Sequence, residues 1–186
     1  MNKFLLFIVL LSGMAFSIRA QTKSTPLLSI GGEFGFPVGK MTSVYGSVIG
    51  ASVKYEAPIA SSRFYWTLTG GITDYLVKLT YLGAANPAFY APVDAGGRYY
   101  FSKLGYLEVD FGVSNNINSK NNPIYLNGVV VNAPKTAFIY SPIIGFSAPV
   151  YKKKTKIDVG LRYEGRVESG GTVGQIAARL AYRFGL

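Results

Sequence analysis

The sequence predicts an all-β chain, folded as an eight-stranded antiparallel up-and-down barrel, on three observations. The 186 residues suit one domain and include 22 Gly, 14 Tyr and 12 Phe, a composition that favours strands and turns. Apolar and polar residues alternate with period two along most of the chain, which is typical of strands with one apolar face. The connections between these stretches alternate between short and long, as they do in a barrel with one trimmed rim.

Eight stretches carry the alternation. They lie near 27–38, 46–59, 64–78, 89–102, 105–117, 137–150, 157–168 and 172–186. In the seventh, "IDVGLRYEGRVE", Ile157, Val159 and Leu161 lie on the face opposite Arg162 and Glu164. The sixth, "AFIYSPIIGFSAPV", is apolar on both faces and gives no clean alternation.

The lengths of the connections indicate which neighbouring stretches form hairpins. The second and third stretches, the fourth and fifth, and the sixth and seventh are joined by the short turns "ASSR", "SKL" and "YKKKTK". The other joins are longer, at 79–88 and especially at 118–136. This predicts one rim of short turns and one rim of long loops.

The first 20 residues, "MNKFLLFIVLLSGMAFSIRA", have the layout of a cleaved secretory signal peptide. Lys3 precedes an apolar run from Phe4 to Leu11 that is too short for a membrane-spanning helix, and Ala20 marks the expected cleavage site. The mature domain is then 21–186. The alternative is that the segment is a buried first strand or helix of the domain.

The formal net charge is +10, and it becomes +8 without Lys3 and Arg19, because residues 1–20 contain no acid. In an exported chain, this surplus indicates anionic lipid headgroups or lipopolysaccharide as neighbours, and not nucleic acid. "KKKTK" at 152–156 is best interpreted as a solvated turn of the short-turn rim.

The chain contains no Cys and no His. This excludes disulfides, thiolate sites and Ser–His or Asp–His catalysis, and we predict no enzyme activity, cofactor or metal site. Glu108 and Asp110 share a face and could form a catalytic carboxylate pair, but charge balance against Arg98, Arg162 and Arg179 is the favoured interpretation.

Either face of the predicted strands could meet water. A soluble barrel of the lipocalin type would enclose the apolar face, whereas a membrane barrel would turn it towards lipid. The polar faces carry Gly and charges of both signs, which suit the narrow interior of an eight-stranded barrel. We therefore predict a transmembrane barrel with a lumen charge network formed by Glu33, Lys54, Glu56, Arg98, Glu108, Asp110, Arg162, Glu164, Arg166, Arg179 and Arg183.

Aromatic residues gather towards the strand ends, where the interfacial girdle of a membrane barrel is found. The predicted girdle consists of Tyr55, Trp66, Tyr99, Phe101, Tyr163, Tyr182 and Phe184. A lipid-facing Arg or Lys at the midplane costs about 2–4 kcal/mol, so the charged faces must point into the lumen.

The opening "LLSIGGEFGFPVG", the central "VDAGGRYYF" and the closing "ARLAYRFGL" resemble the small eight-stranded outer-membrane β-barrels, similar to the OmpA transmembrane domain and to OmpX. The resemblance covers the whole mature chain. It implies a place in the outer membrane of a Gram-negative cell envelope and recognition by the barrel-insertion machinery through Phe184. Pro142 departs from the pattern, and we expect it at a bulge or near a loop end.

The segment 119–136, "SKNNPIYLNGVVVNAPKT", predicts a hairpin outside the membrane, because each arm has about four residues and a spanning strand needs about 9–11. Its key residues are Tyr125, Asn127, Gly128 and Val130. With loops 79–88 and 118–136 outside, a structural or surface-interaction role with an extracellular partner is favoured. The alternatives are a narrow porin-like channel for small solutes and a soluble periplasmic ligand-binding barrel.

Overall fold

A computed structural model of the chain describes residues 25–60, 62–81, 86–118, 123–126, 129–132, 135–151, 155–168 and 171–186. The predicted signal peptide and its cleavage site lie outside these residues. Ten strands occur in chain order: β1 Leu27–Val38, β2 Tyr45–Pro58, β3 Phe64–Val77, β4 Ala88–Tyr99, β5 Gly105–Asn116, β6 Pro123–Leu126, β7 Val129–Asn132, β8 Thr136–Tyr151, β9 Thr155–Glu168 and β10 Gly171–Gly185. Short 3₁₀ helices occupy Gly39–Ser43 and Leu79–Tyr81.

Eight of these strands form a closed antiparallel barrel in the order β1-β10-β9-β8-β5-β4-β3-β2. The barrel closes where β1 pairs with β10 from Leu27↔Gly185 to Val38↔Gly174. Closure leaves no unpaired sheet edge, so the backbone groups of every strand find partners within the sheet. The predicted fold class and all eight predicted strands are confirmed.

The rims differ in the length of their connections. The short-turn rim consists of residues 59–63, 100–104 and 152–154, and both ends of the barrel chain lie there. The loop rim consists of 39–44, 78–87, 117–135 and 169–170. The expectation that every join of the second rim is longer is wrong for the last one, because only two residues separate Glu168 from Gly171.

Apolar side chains point outward and polar side chains point inward. Along β10, Leu180 is 59% exposed on the outer wall, whereas Arg183 on the inner face is 1% exposed. The inner face of β2 likewise buries Lys54 and Glu56, while Val53, the residue before Lys54, is exposed on the outer wall. The barrel is therefore inverted relative to a soluble one, with its apolar wall directed to lipid.

Five prolines lie in the barrel strands: Pro37, Pro58, Pro92, Pro142 and Pro149. Pro142 lies in the middle of β8, where the β8–β9 pairing stops at Tyr140↔Gly165 and resumes in the same register at Ile143↔Arg162. The expectation of a bulge or a loop end is thus wrong. Proline has no N–H to donate, and the ladder tolerates this as a local gap without a register shift.

The segment between β5 and β8 forms its own two-stranded sheet, in which β6 pairs with β7 from Pro123↔Asn132 to Leu126↔Val129. This hairpin is separate from the barrel, as its short arms predict. The turn residues Asn127 and Gly128 lie outside the described residues. Within the described part of the chain, no helix is long and apolar enough to cross a membrane.

Candidate functional site

The barrel lumen is the most elaborate polar site of the molecule. Its inward faces bury seven carboxylates and six cationic side chains, so the interior is close to neutral. They are Glu33, Glu56, Asp94, Glu108, Asp110, Asp158 and Glu164, together with Lys54, Arg98, Arg162, Arg166, Arg179 and Arg183. The period-two alternation places them all on one side of the wall.

Arg98 is the centre of the ion pairs near the short-turn rim. Its Nη1 lies 2.8 Å from Asp158 Oδ2 and 3.1 Å from Glu56 Oε1, and its Nε donates to Glu108. Glu108 also pairs with Lys54, whose Nζ lies 3.4 Å from Asp110 Oδ2. Buried charges are tolerated only with such partners, because an isolated ion loses its hydration without compensation.

Arg183 joins the last strand to this group. Its guanidinium donates to Glu56, to the Tyr100 hydroxyl and to Ser147 Oγ at 2.9 Å. Arg183 and Glu56 are 127 residues apart in the chain. The side chains of Arg183, Glu56 and Ser147 thus connect β10, β2 and β8 across the lumen.

A second group lies nearer the loop rim. Arg162 Nη2 is 2.7 Å from Glu33 Oε1, and its Nη1 is 3.0 Å from Glu164 Oε2. Arg166 Nη2 lies 3.0 Å from Glu164 Oε1. Between the two groups, Arg179 donates to Ser52 Oγ at 2.9 Å.

A group of tyrosines lies in the lumen near the short-turn rim. The rings of Tyr65 and Tyr100 are 5.3 Å apart, and those of Tyr100 and Tyr106 are 5.8 Å apart. The guanidinium carbon of Arg98 stands 3.8 Å from the centre of the Tyr106 ring, within cation–π range. The Tyr106 hydroxyl donates to Asp158 Oδ1 at 2.8 Å.

A second tyrosine group lies in the lumen near the loop rim. Tyr75 lies between Tyr45 and Tyr90, with ring centres 5.7 and 5.4 Å apart, and Arg166 stands 3.6 Å from the Tyr90 ring centre. Val48 packs in the same buried cluster. Each rim of the barrel therefore has one tyrosine group beside it.

Glycines make room for the large lumen side chains. A Cβ at Gly145 would lie 2.5 Å from Tyr106 Cζ, and one at Gly160 would lie 2.9 Å from the Tyr106 hydroxyl oxygen. Contacts this short do not occur between real side chains. The glycines on β8 and β9 are thus the surface on which the Tyr106 ring rests.

One cavity inside the lumen has a volume of about 20 Å³ and is bordered by Asp94, Thr69 and Arg162 among others. This is room for about one water molecule. Asp94 Oδ1 is buried and finds no hydrogen-bond partner among the described atoms.

The structure brings all eleven residues of the predicted lumen charge network into the lumen. Sequence reasoning missed Asp158 and Asp94, although both share the strand face of Arg162 and Arg98. It also missed the two tyrosine groups near the rims. Inward parity was a usable signal for all of these tyrosines except Tyr45, which is separated from the rest of β2 by a register shift between Tyr45 and Ser47.

The residues of the predicted aromatic girdle do not form a ring at both membrane boundaries. Six lie on the outer wall or turn at the short-turn rim, where Tyr55 packs on Trp66 at 5.1 Å between ring centres. Tyr163 is the exception, since it lies in the middle part of β9 and packs on Tyr140 at 6.0 Å. In the described ranges, no three acidic side chains are grouped so as to hold a metal ion.

Solved structures of small bacterial surface barrels resemble this fold. Neisserial surface protein A matches with a TM-score of 0.60 and 13% sequence identity, over 89% of this chain and 100% of that chain. Ail, the attachment invasion locus protein of Yersinia pestis, matches with a TM-score of 0.56 and 16% identity, over 88% of this chain and 100% of that chain. Ail in complex with the heparin analogue sucrose octasulfate matches with a TM-score of 0.50 and 16% identity, over the same shares.

No protein-family model matches the chain, and no curated protein sequence is similar to it. The structural likeness therefore establishes the fold, which is that of the small eight-stranded outer-membrane β-barrels. The resemblance to the OmpA and OmpX barrels is confirmed at this level. By its fold and its apolar outer wall, the chain has the architecture of a membrane-spanning barrel.

Proposed function

We propose that this protein is a non-catalytic outer-membrane barrel with a closed lumen, which acts through its extracellular loops. The observation that carries the proposal is the filled interior, where ion pairs and two tyrosine groups leave a cavity of only about 20 Å³. Glu108 and Asp110, the one candidate carboxylate pair, are both engaged by Lys54. A narrow channel is less favoured, because the inward side chains are held by ion pairs around a cavity of about 20 Å³.

Conductance in a planar bilayer tests the closed lumen. The refolded protein should show no discrete current steps above the bare membrane, whereas a porin of similar insertion efficiency should show them. Regular steps of uniform size from the wild-type protein would contradict the closed lumen and favour the channel.

The loop rim carries the proposed interaction surface. The β6–β7 hairpin stands apart from the barrel, and two-stranded sheets expose edges to which a partner strand can pair. Lys135 is exposed beside it, and Ail, a barrel of the same fold, was solved with a sulfated heparin analogue. We infer an extracellular partner at 118–136 and choose sulfated glycan as the first probe.

Deletion of 121–133 tests this role. The variant should fold, as judged by a heat-dependent shift in gel mobility, because the barrel strands pair without the hairpin. Binding to sucrose octasulfate or to host-cell surfaces should be lost. A matched control replaces 121–133 with a Gly/Ser segment of equal length, which separates loss of the hairpin from shortening of the loop. Unchanged binding in both variants would refute the loop role.

A further inference from the structure

One charged side chain breaks the inside–outside rule. Along β3 the outward positions run Trp66, Leu68, Gly70, Ile72 and then Asp74. On every other barrel strand the charged residues share the inward parity, so Asp74 is the only ionisable acid or base on the outer wall among the strand residues whose side chains the structure describes.

Asp74 lies near the outer boundary of the membrane. It is eight residues from Trp66 along β3, and a tilted strand rises about 2.5 Å per residue along the barrel axis. The separation is then about 20 Å, close to the roughly 25 Å height of the apolar band. With Trp66 at the short-turn interface, Asp74 stands at the level of the outer-leaflet headgroups.

The carboxylate borders a depression in the outer wall. The depression has a volume of about 290 Å³, and its sides are formed by Ile49, Ala51, Ile72 and Phe89. Asp74 Oδ1 is buried and has no hydrogen-bond partner among the described protein atoms. An apolar recess with a single acceptor at its upper end matches the shape of an amphiphile.

The backbone beside the depression is also unusual. The β3–β4 pairing stops at Gly70↔Val93 and resumes in the same register at Thr73↔Tyr90. Pro92 lies in this gap and has no N–H to donate. The interruption falls directly next to the outward residues Ile72 and Asp74, so the recess occurs beside a gap in the ladder.

We propose that this recess binds an outer-leaflet lipid with a primary ammonium headgroup. The ammonium donates to Asp74, and an acyl chain lies between Ile49, Ile72 and Phe89. A second copy of the barrel cannot supply the cation through its wall, because the described outer wall carries no Lys or Arg. Lys78, the nearest base in sequence, already donates to the Thr42 carbonyl.

The headgroup chemistry makes the proposal specific. A primary ammonium offers N–H donors to a carboxylate, as in a charge-assisted hydrogen bond. A choline headgroup has no N–H, and a phosphatidylglycerol headgroup brings only negative charge. The site should therefore select phosphatidylethanolamine, the probe used below, over both.

Native mass spectrometry of the full barrel in micelles with equal amounts of phosphatidylethanolamine and phosphatidylglycerol tests the proposal. The wild-type protein should retain one phosphatidylethanolamine with a preference of about fivefold, the upper range of a partly exposed ion pair. Asp74→Asn should reduce the preference to none, and Asp74→Glu should keep most of it. Folding of each variant is checked by its heat-dependent gel shift.

Two further variants distinguish lipid binding in the recess from general contact between lipid and the outer wall. Ala51→Phe fills the recess and should lower retention of the bound lipid, whereas Ala95→Phe, at an exposed outward position of β4 away from the recess, should not. Equal retention of the two lipids by the wild-type protein, or a preference that survives Asp74→Asn, would overturn the proposal. So would a dimer that is lost in Asp74→Asn without any lipid preference, since the occupant would then be a second copy.

Discussion

Arg98 shows how much of the lumen can depend on one side chain. It is 1% exposed, its guanidinium contacts Asp158, Glu56 and Glu108, and it covers the Tyr106 ring. These three acids come from three different strands. Loss of the guanidinium would leave buried carboxylates without their partner, which costs far more than the net gain from forming the pair.

Arg98→Met should lower the free energy of unfolding by about 3–5 kcal/mol, the usual cost of breaking a buried ion pair. Urea titration of the protein in micelles, followed by the Trp66 emission and the gel shift, measures the change. Arg63→Met is the matched control, because Arg63 is exposed in a turn and should change stability by less than about 0.5 kcal/mol. Equal effects of the two substitutions would contradict the central role of Arg98.

The close approach of the Tyr106 ring to Gly145 leads to a second prediction about a single residue. Gly145→Ala places a Cβ 2.5 Å from Tyr106 Cζ, so the ring must leave Asp158 or the wall must move. We expect a loss of about 1–3 kcal/mol, as for other overpacked interiors. At Gly97 the nearest atom to an added Cβ is 3.9 Å away, and Gly97→Ala should be tolerated. A neutral Gly145→Ala in the same urea titration would show that the ring does not rest there.

At the level of the strands, the sequence predicted almost everything that depends on alternation. All eight barrel strands, the β6–β7 hairpin and the inward parity of the charges follow from period two. The position predicted for Pro142, at a bulge or a loop end, was wrong. The missing backbone N–H of proline interrupts only the β8–β9 hydrogen bonds next to it, and the register on both sides is kept. The outward position of Asp74 was missed because the other outward residues of β3, such as Leu68 and Ile72, are apolar and made the whole face look apolar.

β10 offers the most direct test of a strand's two faces. Leu180→Lys puts a cation on the outer wall near mid-strand, where lipid contact should cost about 2–4 kcal/mol. Thr172→Lys, on the same face near the loop rim, should cost at most about 1 kcal/mol. Unfolding free energies in lipid vesicles measure both. Equal costs would mean that the two positions do not differ in membrane depth.

For the whole molecule, the contents of the lumen could be predicted but their pairing could not. Parity assigns Lys54 and Glu108 to the interior, yet they come from β2 and β5, which are not neighbours in the barrel. Which inward residues meet depends on the tilt and shear of the closed sheet, and these are properties of all eight strands together. The two tyrosine groups differ in this respect, since each is assembled from strands that are neighbours in the sheet.

The outward direction of the apolar face is the central claim of this account, and the single tryptophan of the chain reports on it directly. Trp66 lies on the outer face of β3 beside Tyr55. After refolding into vesicles, its emission should be blue-shifted and strongly quenched by lipids brominated on their acyl chains near the headgroup. Emission that brominated lipids leave unchanged would contradict the account, because the apolar face would then be turned away from lipid.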